Sequence, residues 1–533
     1  MSSNPSTPGK SFAQTNGAEL LVATAVDLGL DICFANPGTT EMPLVAALDA
    51  VPGVRPVLGL FEGVCAGAAD GYGRIAGRPA MTLLHLGPGL GNAVANLHNA
   101  HRAYTPIVNL VGDHASWHVG FDAALTSDIG SLARPVSRWV RSAKTASGLG
   151  DDLVAAHWAA IAGRGPATLI IPADLQSSPL DRAAAPEVRP AGGWSVRGRA
   201  AASDVSVAAA AAAIRQARKP IVILLGATAL DAKGQDAAWR LSVAFGATLY
   251  CETFPAVVER GSTLPELDRL PYFPETAIAA LADAEVVLLA GAKEPVAYFG
   301  YEGVPSLLAP PGSVVPLAGP TEDASAALVA LADLLGAGPA ALPARPHLTM
   351  PADEPLSGAN AGRVIAALVP EGAIVSIEGG TCGYPFFTAS AAAAPHTVLT
   401  NTGGAIGQGI PAALGAAIAA PHRPVLALQS DGSAQYTLQS LWTIARERCD
   451  ITVLIAANHS YNVLRTELDR HGTTDPGPAA QALTDLGNPR IDWLALARGY
   501  GVDGVRVHTT AQLAAALTDT LRAGGPHLIE MVL

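Results

Sequence analysis

Short apolar runs separated by helix-like stretches dominate the chain from Ala18 onward. In the first third, four such runs are each followed soon after by Gly, Pro or Asp turn residues: 32–35, 81–84, 107–110 and 168–171. Buried strands that alternate with helices are typical of parallel α/β sheets. The pattern therefore predicts one α/β domain over residues 1–180.

The same alternation returns twice further along the chain. A helix pattern over residues 207–217 opens a middle block. Further strand-like runs follow in the middle and last blocks, at residues 221–225, 286–289, 374–377, 425–428, 451–455 and 528–532. Residues 180–203 and 336–357 are rich in Pro and Gly without a clear period, so both segments are predicted to be linkers.

The predicted fold class is therefore α/β, with three doubly wound parallel-sheet domains. The N-terminal domain spans residues 1–180, a smaller Rossmann-like middle domain spans 204–336, and the C-terminal domain spans 358–533. A length of 533 residues accommodates three domains of ordinary size.

The composition narrows the class of protein. Half of the residues are hydrophobic and only 15% are charged, which is the opposite of a disordered chain. The net charge of −12 comes without a basic stripe, so we expect neither a nucleic-acid partner nor an anionic membrane surface. We find no membrane-length apolar run and no apolar signal region, and the five cysteines are widely spaced. We therefore expect a cytoplasmic protein with free thiols.

Polar oxygens follow two predicted strands of the last block. Asp431 comes shortly after the strand at 425–428, and Asn458 comes shortly after the strand at 451–455. Parallel sheets bind ligands at the carboxyl ends of their strands, and such oxygens suit a hard cation such as Mg²⁺. Gly432 and Ser433 offer backbone N–H groups at a helix start, which favour phosphate. The segment therefore predicts a site for Mg²⁺ and a diphosphate.

This segment resembles the GDG…NN signature of thiamine-diphosphate (ThDP) enzymes, in the acetolactate synthase and 2-oxo acid decarboxylase superfamily. Asn458 follows Asp431 by 27 residues. The resemblance implies that Asp431, Asn458 and the backbone carbonyl of Ser460 hold the metal, and that Tyr461 lies among the cofactor-binding residues. Ser430 and Ala457 depart from the signature, although neither of these positions supplies a metal ligand.

A glutamate segment in the first block carries the same resemblance. Glu62 precedes a Gly/Ala-rich helix predicted over residues 65–77. In the family, the matching carboxyl group contacts N1′ of the aminopyrimidine ring and favours the tautomer that removes the proton from the thiazolium C2. The resemblance therefore implies that Glu62 both binds and activates the cofactor.

Two loops resemble the substrate side of benzoylformate decarboxylase. Residues 36–41 (NPGTTE) and 85–92 (HLGPGLGN) each follow a predicted strand. The resemblance implies that Thr39 replaces a serine hydroxyl and that His85 is the histidine facing the reacting carbons. His114 is a further candidate for proton transfer, with His118 as a weaker one, and both could equally be residues that only line a loop.

The last block holds three further cofactor positions. In the segment 403–407 (GGAIG), the resemblance implies that Ile406 props the cofactor in its bent conformation and that Gly404 offers a carbonyl to N4′. Thr381 follows the strand at 374–377, where relatives bind diphosphate. The stretch 298–301 (YFGY) stands where benzoylformate decarboxylase carries a second histidine.

These residues favour a ThDP- and Mg²⁺-dependent decarboxylase acting on a small-molecule 2-oxo acid through a C2-ylid and an enamine, because His85 is unusual in acetolactate synthases. Two alternatives stay open. One is a carboligase that joins the enamine to a second carbonyl, which the synthase-like segment 87–89 favours, and the other is a ThDP-binding protein with little catalysis.

The resemblance also bears on flavin and assembly. Gly226 and Gly291 at strand ends are weak evidence for a nucleotide site, so FAD is not expected. In the family, the residues matching Glu62 and Asp431 come from opposite subunits. The resemblance therefore implies at least a homodimer, and we expect a homotetramer.

Overall fold

The computed structural model describes residues 15–180, 198–345 and 348–533. The prediction of an N-terminus without a signal region, and most of the predicted linker at 180–203, fall outside the described residues. Within the described ranges, no helix combines the length and apolarity needed to cross a bilayer.

The first unit is a six-stranded parallel sheet with strand order β2-β1-β3-β4-β6-β5. The central strands β3, β4 and β6 are buried along nearly their whole length, as expected for a parallel sheet covered on both faces. The strands are β1 (Ile32–Asn36), β2 (Arg55–Leu58), β3 (Ala80–Leu84), β4 (Ile107–Asp113), β5 (Trp139–Ser142) and β6 (Pro166–Pro172). The helices are α1 (Gly17–Asp27), α2 (Met42–Ala50), α3 (Glu62–Ala76), α4 (Leu86–Arg102), α5 (Ile129–Ala133), α6 (Leu149–Gly163) and α7 (Ala173–Ser177).

The second unit is a five-stranded parallel sheet with strand order β10-β8-β7-β11-β12. The order reverses between β7 and β11, and parallel sheets open their ligand crevice at such a point. The strands of this segment are β7 (Ile221–Leu225), β8 (Thr248–Cys251), β9 (Val257–Arg260), β10 (Asp268–Arg269), β11 (Val286–Ala290) and β12 (Val314–Ala318). The helices are α8 (Asp204–Gln216), α9 (Ala232–Phe245), α10 (Pro274–Leu281) and α11 (Ala324–Leu334).

The third unit is a seven-stranded sheet with strand order β17-β18-β16-β15-β13-β14-β9. The strands are β13 (Ile374–Ile377), β14 (His396–Thr400), β15 (Val425–Ser430), β16 (Ile451–Ala457), β17 (Asp503–Val507) and β18 (Pro526–Val532). The helices are α12 (Gly358–Leu368), α13 (Gly380–Ala389), α14 (Gly409–Ala419), α15 (Asp431–Ala434), α16 (Ser440–Glu447), α17 (Asn462–Arg470), α18 (Pro478–Ala482), α19 (Trp493–Gly499) and α20 (Thr510–Ala523).

The α/β class with three parallel sheets is confirmed, and one strand adds to the predicted plan. Strand β9 belongs in sequence to the middle segment, yet it pairs antiparallel with β14 at the edge of the third sheet. The middle segment is thereby joined to the C-terminal sheet by main-chain hydrogen bonds. The three predicted domain boundaries themselves stay predictions.

Two small-residue helices join the first and third units. Helices α3 and α14 cross so closely that a Cβ on Gly71 would lie 2.0 Å from the carbonyl oxygen of Ala412. A Cβ on Gly415 would likewise lie 1.9 Å from the carbonyl oxygen of Ala68. Side chains larger than hydrogen at these two positions would force the helices apart, so the Gly/Ala-rich composition of both helices is a packing requirement.

A buried ion pair lies beside this crossing. Arg74 donates to both oxygens of Asp70 at 2.9 and 2.7 Å, and both side chains are almost fully buried. The same guanidinium donates to the carbonyl of Thr400 at 2.7 Å, and Gln408 donates to Asp70 at 2.6 Å. The charges of the pair are therefore compensated by hydrogen bonds that cross between the first and third units.

Replacing Arg74 by alanine should destabilise the protein by about 3–5 kcal/mol, because Asp70 would be left as a buried, unpaired charge. The free energy of unfolding from urea titration measures this loss. Arg78→Ala is the matched control, since the Arg78–Asp31 pair is exposed and should contribute no more than about 1 kcal/mol. Equal losses in the two variants would contradict this account of the buried pair.

Candidate active site

The ends of two neighbouring strands bring Asp431 and Asn458 to one edge of the third sheet. Strands β15 and β16 pair in parallel, with Ser430 opposite Ala456, so the residues that follow them lie side by side. Asp431 is buried and accepts the backbone N–H of His459 at 2.6 Å. The Asn458 side-chain oxygen accepts the N–H of Ser460 at 3.0 Å. The sequence prediction that these residues converge therefore holds in the geometry.

The donor set at this edge fits a hard cation. Burial raises the pKa of the Asp431 carboxyl, while the N–H groups of His459 and Gly432 oppose that rise by stabilising the carboxylate. One carboxylate, one amide oxygen and one carbonyl are oxygen donors of the kind that Mg²⁺ takes, with positions left for phosphate and water. Across the described residues, no three His, Cys, Asp or Glu side chains converge as a metal cluster. The Asp431 carboxylate, the Asn458 amide oxygen and the Ser460 carbonyl are of the donor type that suits Mg²⁺, and their binding of a metal stays a prediction.

The other predicted diphosphate contacts surround the same edge. The hydroxyl of Thr381 lies 3.5 Å from both the Ser430 hydroxyl and the Asn458 amide nitrogen. The Ser433 hydroxyl donates to the carbonyl of Ser430 at 3.1 Å. A Cβ on Gly432 would lie 2.5 Å from the ring of Tyr461, so only glycine lets this ring lie against the loop. Thr381, Gly432, Ser433 and Tyr461 therefore lie around the Asp431 edge of the sheet. Their contacts with a cofactor stay predictions.

The segment at 403–409 forms a tight loop before helix α14. Gly404 and Gly407 have φ angles of 77° and 99°, in the left-handed region that favours glycine. The Ile406 side chain is 42% exposed. The predicted roles of Gly404 and Ile406 toward the cofactor stay predictions.

Helix α4 holds this loop through its asparagines. The Asn99 side chain exchanges two hydrogen bonds with the backbone of Ala405, at 2.8 and 3.1 Å. Asn96 donates to the carbonyls of Gly63 and Gly407, at 2.8 and 3.1 Å. Asn99 also donates to the side-chain oxygen of Asn96 at 3.1 Å. These amides tie the loop to the start of helix α3, and sequence reasoning missed them because asparagine in a helix has no distinctive spacing signal.

Glu62 is the first residue of helix α3. Its side chain is largely buried and accepts a hydrogen bond from Asn92 of helix α4 at 2.9 Å. A Cβ on Gly89 would lie 2.9 Å from a Glu62 carboxylate oxygen, so the glycine leaves room for the carboxyl group. A hydrogen-bonded carboxyl group therefore stands where the sequence predicts one.

His85 is held by a glutamate that the sequence analysis did not single out. The His85 Nδ1 lies 2.7 Å from the carboxylate of Glu41, which is completely buried. Glu41 also accepts the backbone N–H of Gly38 at 2.7 Å and the hydroxyl of Thr40 at 2.5 Å. The segment 36–41 contained the signal, since it ends in an acid next to a loop that was already assigned to the substrate side.

The hydroxyl nearest His85 is that of Thr40. Its Oγ1 lies 3.4 Å from the His85 Nδ1, whereas Thr39 is exposed and carries no described hydrogen bond through its hydroxyl. Thr39 faces outward from the 3₁₀ turn Thr39–Glu41, and its catalytic role stays a prediction.

His114 is separate from these groups in the described hydrogen bonds. Its Nε2 is buried without a partner among the described residues, and its ring packs edge-on against His118 at a centroid distance of 5.3 Å. Trp117 and Phe121 beside them are more than 70% exposed. No described hydrogen bond links His114 to His85 or Glu62, so its part in proton transfer stays a prediction.

A cavity of about 430 Å³ lies at the strand-order reversal of the second sheet. Its lining includes Gly291, Lys293, Tyr298 and Glu252, and burial raises the pKa of the Glu252 carboxyl to about 7. Tyr298 reaches from this cavity to the 403–409 loop, where a Cβ on Gly404 would lie 3.6 Å from its ring. The expectation that FAD does not bind stays a prediction.

Comparison with known families gives two matches. The model described as "Thiamine pyrophosphate enzyme, N-terminal TPP binding domain" matches residues 15–132. The model described as "Thiamine pyrophosphate enzyme, C-terminal TPP binding domain" matches residues 380–531. The first match contains Glu62 and His85, and the second contains Asp431 and Asn458.

Whole-chain relatives agree with these matches. The chain is 49% identical, over 97% of its length and 99% of the relative's, to the Mycobacterium tuberculosis protein named "Putative acetolactate synthase large subunit IlvX". It is 30% identical to benzoylformate decarboxylase of Pseudomonas aeruginosa, over 94% of this chain and 96% of the relative. A ThDP-dependent 4-hydroxybenzoylformate decarboxylase from Rhodococcus jostii, 24% identical, shares the fold with a TM-score of 0.81 over 97% of this chain and 99% of that one. The chain thus belongs to the thiamine-diphosphate-dependent enzymes, within the superfamily of 2-oxo acid decarboxylases and acetolactate synthases.

Proposed function

We propose that this enzyme catalyses the ThDP- and Mg²⁺-dependent, non-oxidative decarboxylation of a 2-oxo acid. The observation that carries the proposal is the pairing of His85 with the buried carboxylate of Glu41, at the end of the strand β3. A histidine oriented by a carboxylate is a proton-transfer device, and a decarboxylase needs a proton donor to release an aldehyde. The similarity to a benzoylformate decarboxylase supports the same reaction class.

The residues of the site divide the work of holding the cofactor. Asp431, Asn458 and the Ser460 carbonyl would hold Mg²⁺ and, through it, the diphosphate, while Glu62 would contact the aminopyrimidine ring. Bound ThDP supplies a nucleophilic carbon and an electron sink for the electrons left by CO₂. The protein therefore contributes orientation, a buried carboxyl group and proton donors.

His85 would deliver a proton from its outer ring nitrogen. The carboxylate of Glu41 accepts from Nδ1–H, which fixes the orientation of the ring and leaves Nε2 for the substrate side. Each proton that His85 gives to the reacting carbon can thus be regained from water without reorienting the ring.

A carboligase is the second candidate. The relative at 49% identity carries an acetolactate synthase name, and both reactions begin with the loss of CO₂ from a 2-oxo acid. They differ in whether a proton or a second carbonyl then reacts. Identification of products from pyruvate, as free aldehyde or as acetolactate and acetoin, separates the two functions.

CO₂ release from a panel of aromatic and aliphatic 2-oxo acids should depend on added ThDP and Mg²⁺.

Glu62→Gln should lower kcat by about 10²–10⁴-fold while ThDP still binds, because the amide keeps the shape but cannot share a proton. Asp31→Asn is the control, because it also replaces a carboxylate by an amide, but in the exposed ion pair with Arg78. It should retain full activity. Absence of ThDP-dependent release across the panel would overturn the decarboxylase proposal, and ThDP binding without turnover would favour a binding protein.

Gly112→Ala should reduce kcat through His85 without touching the substrate. A Cβ at Gly112 would lie 1.6 Å from a Glu41 carboxylate oxygen, so the glutamate must move away from the His85 Nδ1. Displacement of a proton donor by about 1 Å can cost about 100-fold in rate. Gly120→Ala is the control, because its Cβ would meet open space, and it should stay within about twofold. Steady-state kinetics tests this prediction, provided that the variant keeps the melting temperature of the parent protein. An unaltered kcat in Gly112→Ala would refute the role of His85.

We further propose a homodimer at minimum, assembling into a homotetramer, with Glu62 and Asp431 of each site supplied by opposite subunits. Several large apolar side chains are exposed on the single chain, which is typical of surfaces that become buried on assembly: Met42, Trp117, Phe121, Ile406, Tyr436, Val463 and Leu464. All five cysteines are buried free thiols, which supports a cytoplasmic location.

Co-expression of the inactive variants Glu62→Gln and Asp431→Asn should restore activity. If the two residues act across the interface, half of the dimers are mixed and each mixed dimer has one intact site, giving about a quarter of the parent activity. Each variant expressed alone provides the baseline. Sedimentation velocity reports the assembly state, and an active monomer or a lack of complementation would contradict the shared-site arrangement.

A further inference from the structure

Glu378 is a half-buried acid that has no role in the site as described so far. It follows strand β13 directly, and its two oxygens accept three consecutive backbone N–H groups. Gly407 and Gln408 donate to Oε1 at 2.5 and 3.2 Å, and Gly409 donates to Oε2 at 2.8 Å. These donors are the last residues of the loop at 403–409 and the first residue of helix α14.

The position is an unfavourable place for a carboxyl group unless these bonds are made. Burial raises the pKa of Glu378 to about 7, and the three N–H groups oppose that rise. No Lys, Arg or His among the described residues lies within ion-pair distance of it. The backbone of the loop is therefore the main stabiliser of the carboxylate, and the carboxylate equally restrains the loop.

Glycine at position 409 leaves room for two polar side chains beside the loop. A Cβ on Gly409 would lie 1.9 Å from the Gln429 side-chain nitrogen and 2.9 Å from a Glu378 oxygen, so the glycine lets both side chains approach the backbone. The opposite side of the loop is held by Asn96 and Asn99, which bind the carbonyls of Gly407 and Ala405. Glu378 thus binds the N–H side of the loop while helix α4 binds its carbonyl side.

We propose that Glu378 is a positioning residue that sets the shape of the 403–409 loop, and thereby directs the Ile406 side chain and the Gly404 carbonyl toward ThDP. This inference rests on the proposed function for the identity of the cofactor. The restraint of the loop by Glu378 is a property of the chain itself, so it can be measured before any cofactor is added.

Glu378→Gln should loosen the loop in the full-length, cofactor-free protein. A glutamine amide would turn N–H donors toward N–H donors, so at least one of the three hydrogen bonds is lost. Amide hydrogen–deuterium exchange of the peptide containing residues 407–409 should accelerate by about tenfold or more. Glu259→Gln is the matched control, because Glu259 is a largely buried acid that accepts from the Thr397 hydroxyl at 3.0 Å and does not contact the loop. It should leave this exchange unchanged.

The same variants should separate ThDP binding from substrate binding. In Glu378→Gln, the dissociation constant of ThDP measured by calorimetry should rise about tenfold or more, whereas the KM for the 2-oxo acid at saturating ThDP should stay within about twofold. Gly409→Ala, whose new Cβ would displace both the Gln429 side chain and the Glu378 carboxylate, should reproduce both changes. It also tests the inference if Glu378→Gln does not fold.

The outcomes distinguish this inference from the proposed function. Unchanged loop exchange and unchanged ThDP affinity in both variants would overturn the positioning role while the enzyme remains a ThDP-dependent decarboxylase. Faster exchange and weaker ThDP binding, in a protein that decarboxylates none of the 2-oxo acids, would support the positioning role and overturn the proposed reaction. If Glu259→Gln also showed faster loop exchange and weaker ThDP binding, the effect would be a general loosening of the sheet, and the inference would likewise be overturned.

Discussion

The close crossing of helices α3 and α14, with the Asp70–Arg74 pair beside it, is the constraint on which the remaining geometry depends. Helix α3 begins at Glu62, and helix α14 begins where the 403–409 loop ends. One contact between small residues therefore fixes the distance between Glu62 of the first unit and the 403–409 loop of the third. The ion pair also fixes the relative orientation of the two units, because its hydrogen bonds to Thr400 and Gln408 form in only one arrangement of the helices.

Carboxylates held mainly by backbone N–H and hydroxyl groups recur in this protein. Glu41, Glu378 and Asp431 all follow it, and each lies at the carboxyl end of a strand or in the turn just beyond one. Backbone donors compensate a negative charge without a flexible cationic side chain, so the acids keep fixed positions. The net charge of −12 is consequently no guide to the site, because the charges that matter are local and individually compensated.

Prediction from sequence succeeded where the signal is local. The buried strands at 221–225 and 374–377 lie where predicted, because uninterrupted apolar runs between turn residues have few other interpretations. The edge strand β2 and strand β9 were missed, since both carry polar residues or proline, and β9 joins a sheet that is remote in sequence. Asp431 and Asn458 were found through strand ends, whereas the contact between Glu41 and His85 depends on two loops meeting in space. No spacing along the chain encodes such a contact.

Helix α4 positions functional groups at both of its ends. Its first half receives His85 at the N-cap and supports Glu62 through Asn92, and its second half holds the loop through Asn96 and Asn99. About 10 Å of helix separates Asn92 from Asn99. In the proposed assembly, Glu62 and the loop belong to neighbouring sites, so this one helix of seventeen residues would support groups in both of them.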